Sequence, residues 1–316
     1  MTNHASDTRS EHLPQLGFLG LGAMGSRLAA RLLKAGYPMV VYNRSRERSQ
    51  PLVRLGAQVA DTPGALAAQC SVVFSSLSDD AAVQDVLQGP DDKGALAEAR
   101  PGTTFVEMST ILPQTSRALA AAAHARGLQM LDAAISGSTP QVEAGTITLL
   151  VGGDAATYER SLPILTTLTQ HCFYMGPSGM GTTMKLVVNT LLGVSIQSLA
   201  EALALGEKAG LEKARLLDVL AQTAVISPRQ KLALDNVRRE EYPVTFALQL
   251  MHKDFGLIVR EAESLQVPMP VTAAAEQLSA VELAGADTED LTAAIRWMED
   301  LVGIEPSIEP PREAST

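Results

Sequence analysis

The sequence predicts an α/β domain on a doubly wound, mostly parallel sheet, followed by an all-α C-terminal domain joined through one long interdomain helix. Three observations carry this prediction. Short apolar runs alternate with helical patterns up to Gly181. A glycine-rich loop separates the first apolar run from the first helix. Beyond Gly181 the strand signals disappear and the period is helical almost throughout.

Leu16 to Leu19 is a short apolar run that feeds into glycines. Ala23 to Ala35 follows with Leu28, Leu32 and Leu33 on one side, and Gly36 stops it. Met39 to Tyr42 reads as a second buried strand, which completes a βαβ unit. The alternation goes on with strand-like Ser71 to Ser75, helical Ala81 to Leu87 and strand Thr104 to Met108. Then come helical Ser116 to Arg126 and strands at Gln129 to Leu131 and Thr146 to Val151. Thr182 to Lys208 reads as one long helix, apolar around most of its circumference and so buried on several sides. Further helices are expected at Ala214 to Ala224, Phe255 to Ser264, Ala273 to Ala284 and Leu291 to Val302. The organisation read from this is a flexible start at 1–14, a sheet domain at 15–178, a helical domain at 179–303 and a flexible, proline-bearing tail at 304–316.

Composition narrows the function classes. The 316 residues are 46% hydrophobic but only 4% aromatic, so Ala, Leu and Val build the core. Acidic residues outnumber basic ones, 35 to 25, and the net charge of −10 disfavours nucleic acid and anionic membrane surfaces. Cys70 and Cys172 lie in apolar runs without metal-ligand spacing, and they read as buried thiols of a reducing, cytoplasmic compartment. The five histidines show no metal-ligand spacing either. The N-terminus has no apolar signal region. The most apolar stretch, Leu186 to Ala200, is interrupted by Asn189, Ser195, Gln197 and Ser198 and reads as too short for a membrane span.

Gly20-Leu21-Gly22-Ala23-Met24-Gly25 fits G-x-G-x-x-G between a strand and a helix. In that setting the glycines serve a tight turn, close approach of a pyrophosphate and close packing of helix on strand, while the helix N-terminus offers free N–H groups. The loop therefore predicts a dinucleotide-binding Rossmann domain. The end of the second strand reads Asn43-Arg44-Ser45, followed by Arg46 and Arg48, with no carboxylate before Glu47. A carboxylate there would bind the ribose 2′-hydroxyl of NAD. An arginine with Asn and Ser suits a 2′-phosphate, so NADP, as NADPH, is the expected cofactor.

Four stretches together resemble the β-hydroxyacid dehydrogenases over residues 15 to 300, closest in motif to the glyoxylate/succinic semialdehyde and tartronate semialdehyde reductases. The first is Gly17 to Gly25. The second is Asp132-Ala133-Ala134-Ile135-Ser136-Gly137-Ser138, running on to Ala144-Gly145-Thr146 and Val151-Gly152-Gly153. The third is Gly176-Pro177-Ser178-Gly179-Met180-Gly181 with Lys185 and Asn189. The fourth is Lys253-Asp254. The resemblance implies that Lys185 is the catalytic general acid/base, with Asn189 beside it one helical turn on. It implies that Ser136, Gly137 and Ser138 bind a substrate carboxylate, an anion nest. It further implies cofactor contacts at Leu77, Ser78, Ser109, Thr110 and Lys253, a substrate-pocket aromatic at Phe246 and an orienting acid at Asp254. A homodimer or homotetramer is implied too. Glu107, where the family usually has Asp, and Ala134-Ile135, in place of Pro-Val, depart from the pattern without carrying chemistry.

The function expected is NADPH-dependent reduction of a small carboxylated aldehyde to its hydroxy acid: glyoxylate, succinic semialdehyde, tartronate semialdehyde or methylmalonate semialdehyde. Two alternatives stand beside it. One is an imine reductase of the same architecture. The other is a non-catalytic dinucleotide-binding protein with protein partners.

Overall fold

The computed structural model describes residues 13–284 and 289–304. The expected flexible start and tail therefore lie almost wholly outside the described residues. The chain divides into two compact units, Met1–Val187 and Val188–Thr316.

The first unit holds eight strands: β1 (Leu16–Leu19), β2 (Met39–Tyr42), β3 (Gln58–Val59), β4 (Val72–Ser75), β5 (Thr104–Glu107), β6 (Gln129–Ser136), β7 (Ile147–Gly153) and β8 (Thr169–Gly176). They form one sheet in the order β3-β2-β1-β4-β5-β6-β7-β8. The first six pair in parallel, which is the doubly wound order with its switch point between β1 and β4. β7 runs antiparallel to β6, and β8 is parallel to β7. The helices of this unit are α1 (Ala23–Lys34), α2 (Gln50–Val53), α3 (Pro63–Ala67), α4 (Asp80–Leu87), α5 (Ala95–Glu98), α6 (Pro113–His124), α7 (Thr139–Ala144) and α8 (Ala155–Leu165).

Both faces of the sheet are covered, so the central strands are apolar on both sides. Leu16, Phe18, Met39, Val41 and Phe74 share one core with Leu28 and Leu32 of α1, where the Phe18 and Phe74 rings stack at 5.9 Å. Val40, Val73 and Phe105 point the other way, onto Leu66, Val83 and Leu119. Cys70 is buried and Cys172 half-buried, and burial pushes the Cys70 thiol up to about 12. An oxidisable thiol would need the opposite shift.

The second unit is all-helical. α9 (Met180–Lys208) crosses into it and is followed by α10 (Lys213–Gln222), α11 (Pro228–Arg239), α12 (Leu248–Ser264), α13 (Pro270–Leu283) and α14 (Ala293–Leu301). Within this unit α9 is the spine. Gln197 on α9 donates to both carboxylate oxygens of Glu282 on α13, at 3.0 and 3.2 Å. Gln230 on α11 donates to the Ser195 carbonyl at 3.0 Å. By length and composition alone α9 could cross a membrane, contrary to the reading that its polar interruptions leave it too short; 44% of its most apolar stretch is buried inside the fold. Its burial is also less complete than its composition suggests, because Leu191 and Leu205 are 71% and 73% exposed.

The differences from the expected elements have local causes. β6 continues five residues past Leu131 to pair with β7. The two-residue β3 is too short to show a period, and β8 is an edge strand with half of its residues exposed. α11 is highly charged, yet Gln230, Ala233, Leu234 and Val237 form its buried stripe. The capping box of Ser227 and Gln230, with Pro228 at the first position, was a readable start signal for it.

Candidate active site

At the glycine loop the backbone turns tightly and packs closely. Gly20 has φ +90°, and a Cβ there would lie 2.4 Å from the Ser76 carbonyl oxygen and 2.7 Å from Leu77 Cδ2. A Cβ on Gly25 would lie 2.1 Å from the Gly20 carbonyl oxygen, so α1 rests directly on the loop. Gly22, by contrast, faces open space. It is the N-cap of α1, has no capping side chain, and no acidic residue stands in the first turn. Free N–H groups, positive helix dipole and an open cradle suit a pyrophosphate.

Asn43 sits beside this loop and shapes it. Its Oδ1 accepts from the Leu21 N–H at 2.8 Å, and its Nδ2 donates to the Ser45 carbonyl at 3.0 Å. Its carboxamide is thus used largely within the protein. Arg46 is paired with Asp61 at 2.5 Å, while Arg44 is exposed with no side-chain partner among the described residues. Across the switch point, the Leu77 N–H donates to Ser109 Oγ at 2.8 Å, which joins two of the expected cofactor loops. Ser78 is exposed and donates to Asp79 at 2.8 Å, and Thr110 is half-buried.

The strand register sets Ser75 and Glu107, at the carboxyl ends of β4 and β5, side by side with Asp132 in the middle of β6, and all three are buried. Asp132 holds the start of α9. Its Oδ1 accepts from the Gly179 N–H at 2.8 Å and its Oδ2 from the Thr182 N–H at 2.9 Å. Burial pushes this carboxyl up, against those two N–H donors. Gly181 completes the anchorage, since a Cβ there would lie 2.3 Å from the Leu150 carbonyl oxygen. The first turn of α9 is thereby fixed to β6 and β7, and Lys185 follows one turn on, buried.

The nest residues divide in role. Gly137 has φ +148° and its Cβ position is filled by Ile147. The Ser138 N–H donates to Gln141 Oε1 at 2.9 Å in the capping box of α7, so Ser138 serves the helix start. The Ser136 hydroxyl has no partner among the described residues.

In the helical unit, Asn189 is fully buried and its Nδ2 donates to Asp254 Oδ2 at 2.5 Å. Its Oδ1 is buried with no hydrogen-bond partner among the described residues. Asp254 Oδ1 lies 3.1 Å from Lys253 Nζ, an ion pair by distance without hydrogen-bond alignment. Close helix packing makes this meeting possible: the Phe255 ring reaches within 2.4 Å of where a Gly193 Cβ would stand. Asp254 thus orients Asn189 as well as Lys253.

Phe246 is half-buried rather than core, and its backbone is pinned at both ends. Its N–H donates to Asp290 Oδ2 at 3.0 Å and its carbonyl accepts from Leu291 at 2.9 Å. Asp290 also accepts from Thr245, Thr292 and Arg229. Burial pushes Asp290 up, but the N–H donors of Phe246, Thr292 and Thr245 outweigh it and hold the group below the ordinary carboxylate range. Sequence reasoning missed Asp132 as an anchor and Asp290 altogether. Acidic side chains inside a strand and in a loop carry no pattern that announces their partners.

Two family models cover the chain. The NAD binding domain of 6-phosphogluconate dehydrogenase matches residues 15–176. The NAD-binding domain of NADP-dependent 3-hydroxyisobutyrate dehydrogenase matches residues 179–298. The chain is 33% identical over 292 residues to the 2-(hydroxymethyl)glutarate dehydrogenase of Eubacterium barkeri, covering 92% of this chain and 96% of that one. It is 35% identical over 281 residues to the chloroplastic glyoxylate/succinic semialdehyde reductase 2 of Arabidopsis thaliana, covering 89% and 78%. Among solved structures it resembles the 3-hydroxyisobutyrate dehydrogenase of Mycobacterium tuberculosis with L-serine, at a TM-score of 0.83 and 27% identity, over 91% of this chain and 99% of that one. The fold, the glycine loop and these relatives define an NAD(P)-binding oxidoreductase that acts on hydroxyl groups. The chain belongs to the β-hydroxyacid dehydrogenase family.

Proposed function

We propose that the chain reduces a small carboxylated aldehyde to its hydroxy acid with NADPH, and that Lys185 moves the proton. The observation that carries this reading lies on α9, where buried Lys185 stands one turn before Asn189, and the buried Asn189 Oδ1 has no hydrogen-bond partner among the described residues. A buried acceptor left unpaired costs about 1–3 kcal/mol, so it is best explained by a ligand that donates to it. An alcohol O–H or an ammonium proton meets that need. Held at the glycine loop from Gly20 to Gly25, a nicotinamide dinucleotide would supply the hydride when bound. Lys185 donates a proton from Nζ to the carbonyl oxygen, and takes it back when the alcohol is oxidised. Asp254 holds Asn189 through its amide, so Oδ1 keeps one direction. The Ser136 hydroxyl and the Gly137 N–H offer donors for the substrate carboxylate.

The preference for NADPH rests on exposed Arg44 and on the missing carboxylate at the end of β2. The test is a panel of glyoxylate, succinic, tartronate and methylmalonate semialdehydes and a cyclic imine, each with NADPH and NADH. Oxidation of NADPH by at least one aldehyde and not by the imine is expected. Turnover of the imine alone, or binding of NADPH with no turnover, would sink the reading. Arg44→Glu should lower the preference for NADPH by about tenfold, the loss of one charge-assisted contact. An unchanged NADPH-to-NADH ratio would refute that assignment.

The same reading includes a homo-oligomer. Leu191, Ser198 and Leu205 lie on one exposed stripe of α9, and the two leucines are almost three-quarters exposed. A stripe of this kind suits the matching stripe of a second copy. Light scattering should report a dimer or larger for the native chain and a smaller species for Leu191→Glu. A native monomer at micromolar concentration would overturn the proposal.

A further inference from the structure

Glu107 is an acid at a place where packing alone would favour an apolar side chain. It is 1% exposed, at the carboxyl end of β5. Its Oε2 accepts from the Ser75 hydroxyl, and its Oε1 accepts from the Ser109 N–H at 2.6 Å. Ser109 Oγ in turn accepts from the Leu77 N–H at 2.8 Å. Leu77 and Ser76 lean on the glycine loop, at the face where a Gly20 side chain would stand. One hydrogen-bonded path therefore runs from β4, through Glu107, to the loops at 76–79 and 108–112, and the first of these packs against the glycine turn. The charged neighbour that bears on it is Asp132, on the adjoining strand.

The topology says what these loops face. The end of β2 reads the ribose next to the adenine, and the pyrophosphate crosses at β1. β4 and β5 lie on the opposite side of β1 from β2. What remains of the dinucleotide on that side is its nicotinamide half. We propose that Glu107 is a positioning residue that locks the loops at 76–79 and 108–112 into one support for the nicotinamide half of the cofactor. Burial pushes the carboxyl up to about 7 despite the Ser109 and Ser75 hydrogen bonds. A position that only filled space would not retain so costly a group.

The experiment is a double-mutant cycle on the full chain. The dissociation constants of NADPH and NADH are measured by fluorescence titration for Glu107→Gln, Ser109→Ala and both together. Each single variant is expected to weaken both dinucleotides by about tenfold, or 1.4 kcal/mol. The double variant should fall well short of a hundredfold, because both changes cut the same path. The NADPH-to-NADH ratio should stay that of the native protein, since the support serves the part common to both. A folded Glu107→Gln protein with native affinity, strictly multiplicative losses, or a changed ratio would each overturn the proposal. If Glu107→Gln fails to fold, Glu107→Asp keeps the charge one methylene shorter. It should show a smaller loss for both dinucleotides, and native affinity there also refutes the assignment.

Discussion

Lys185→Met is expected to lower kcat by about 10²–10⁴-fold while NADPH binds with native affinity. The reason is local. Methionine fills the volume of the lysine stem but offers no proton, so the alkoxide formed by hydride transfer is left without a donor. Lys185→Arg separates charge from proton transfer. Arginine stays protonated throughout the accessible pH range, so it can polarise a carbonyl but cannot accept a proton back from an alcohol. It should rescue neither direction fully, and alcohol oxidation least. The measurement is single-turnover oxidation of NADPH beside a fluorescence titration of the same sample. Turnover retained within about threefold of native in Lys185→Met would remove Lys185 from the chemistry, because general acid–base catalysis contributes more than that.

Gly25→Val is the second large effect, and it acts on binding. A Cβ at Gly25 would stand 2.1 Å from the Gly20 carbonyl oxygen and 3.1 Å from the Phe18 ring, both in the least yielding part of the sheet domain. α1 must move off the loop, and its first N–H groups then lose their aim at the pyrophosphate. Losing two hydrogen bonds to a charged group at about 1.5 kcal/mol each weakens NADPH by roughly a hundredfold. The fold should persist with a lowered melting temperature, since the clash is confined to the Gly20 carbonyl and the Phe18 ring. Native NADPH affinity in a folded Gly25→Val protein would mean that the loop does not carry the pyrophosphate.

The two predictions differ in how they became visible. Gly25 was legible from the residue string, because a turn, a helix start and a close contact each demand a glycine at a set spacing. Lys185 and Asn189 were legible as a pair on one helix face, and the family resemblance supplied the chemistry. The structure adds the unsatisfied Asn189 Oδ1 and its orientation by Asp254. It also adds what these side chains and backbones hold within the chain: Ser138 caps α7, Asn43 accepts from the glycine loop, and Phe246 is half-buried with a pinned backbone. Glu107 is the clearest reversal. As a departure from the family pattern it carried no chemistry, yet in the fold it ties together two loops that flank the glycine turn.

The sequence by itself determined what depends on neighbours along the chain. That includes the βαβ unit around Gly20 to Gly25, the alternation that builds a parallel sheet, the change to helices after Gly181, and the one-turn spacing of Lys185 and Asn189. Period, glycine placement and helix geometry are local properties, so they survive without knowledge of the fold. Tertiary structure alone decided which buried carboxylates meet which donors. Asp132 reaches Gly179 and Thr182 across 47 and 50 residues, Asp254 reaches Asn189 across 65, and Asp290 reaches Arg229 across 61. A buried charge leaves no period in the sequence. Its partner is chosen by strand register and helix packing, as when Ser75 and Glu107, at the carboxyl ends of β4 and β5, come into line with Asp132 in the middle of β6.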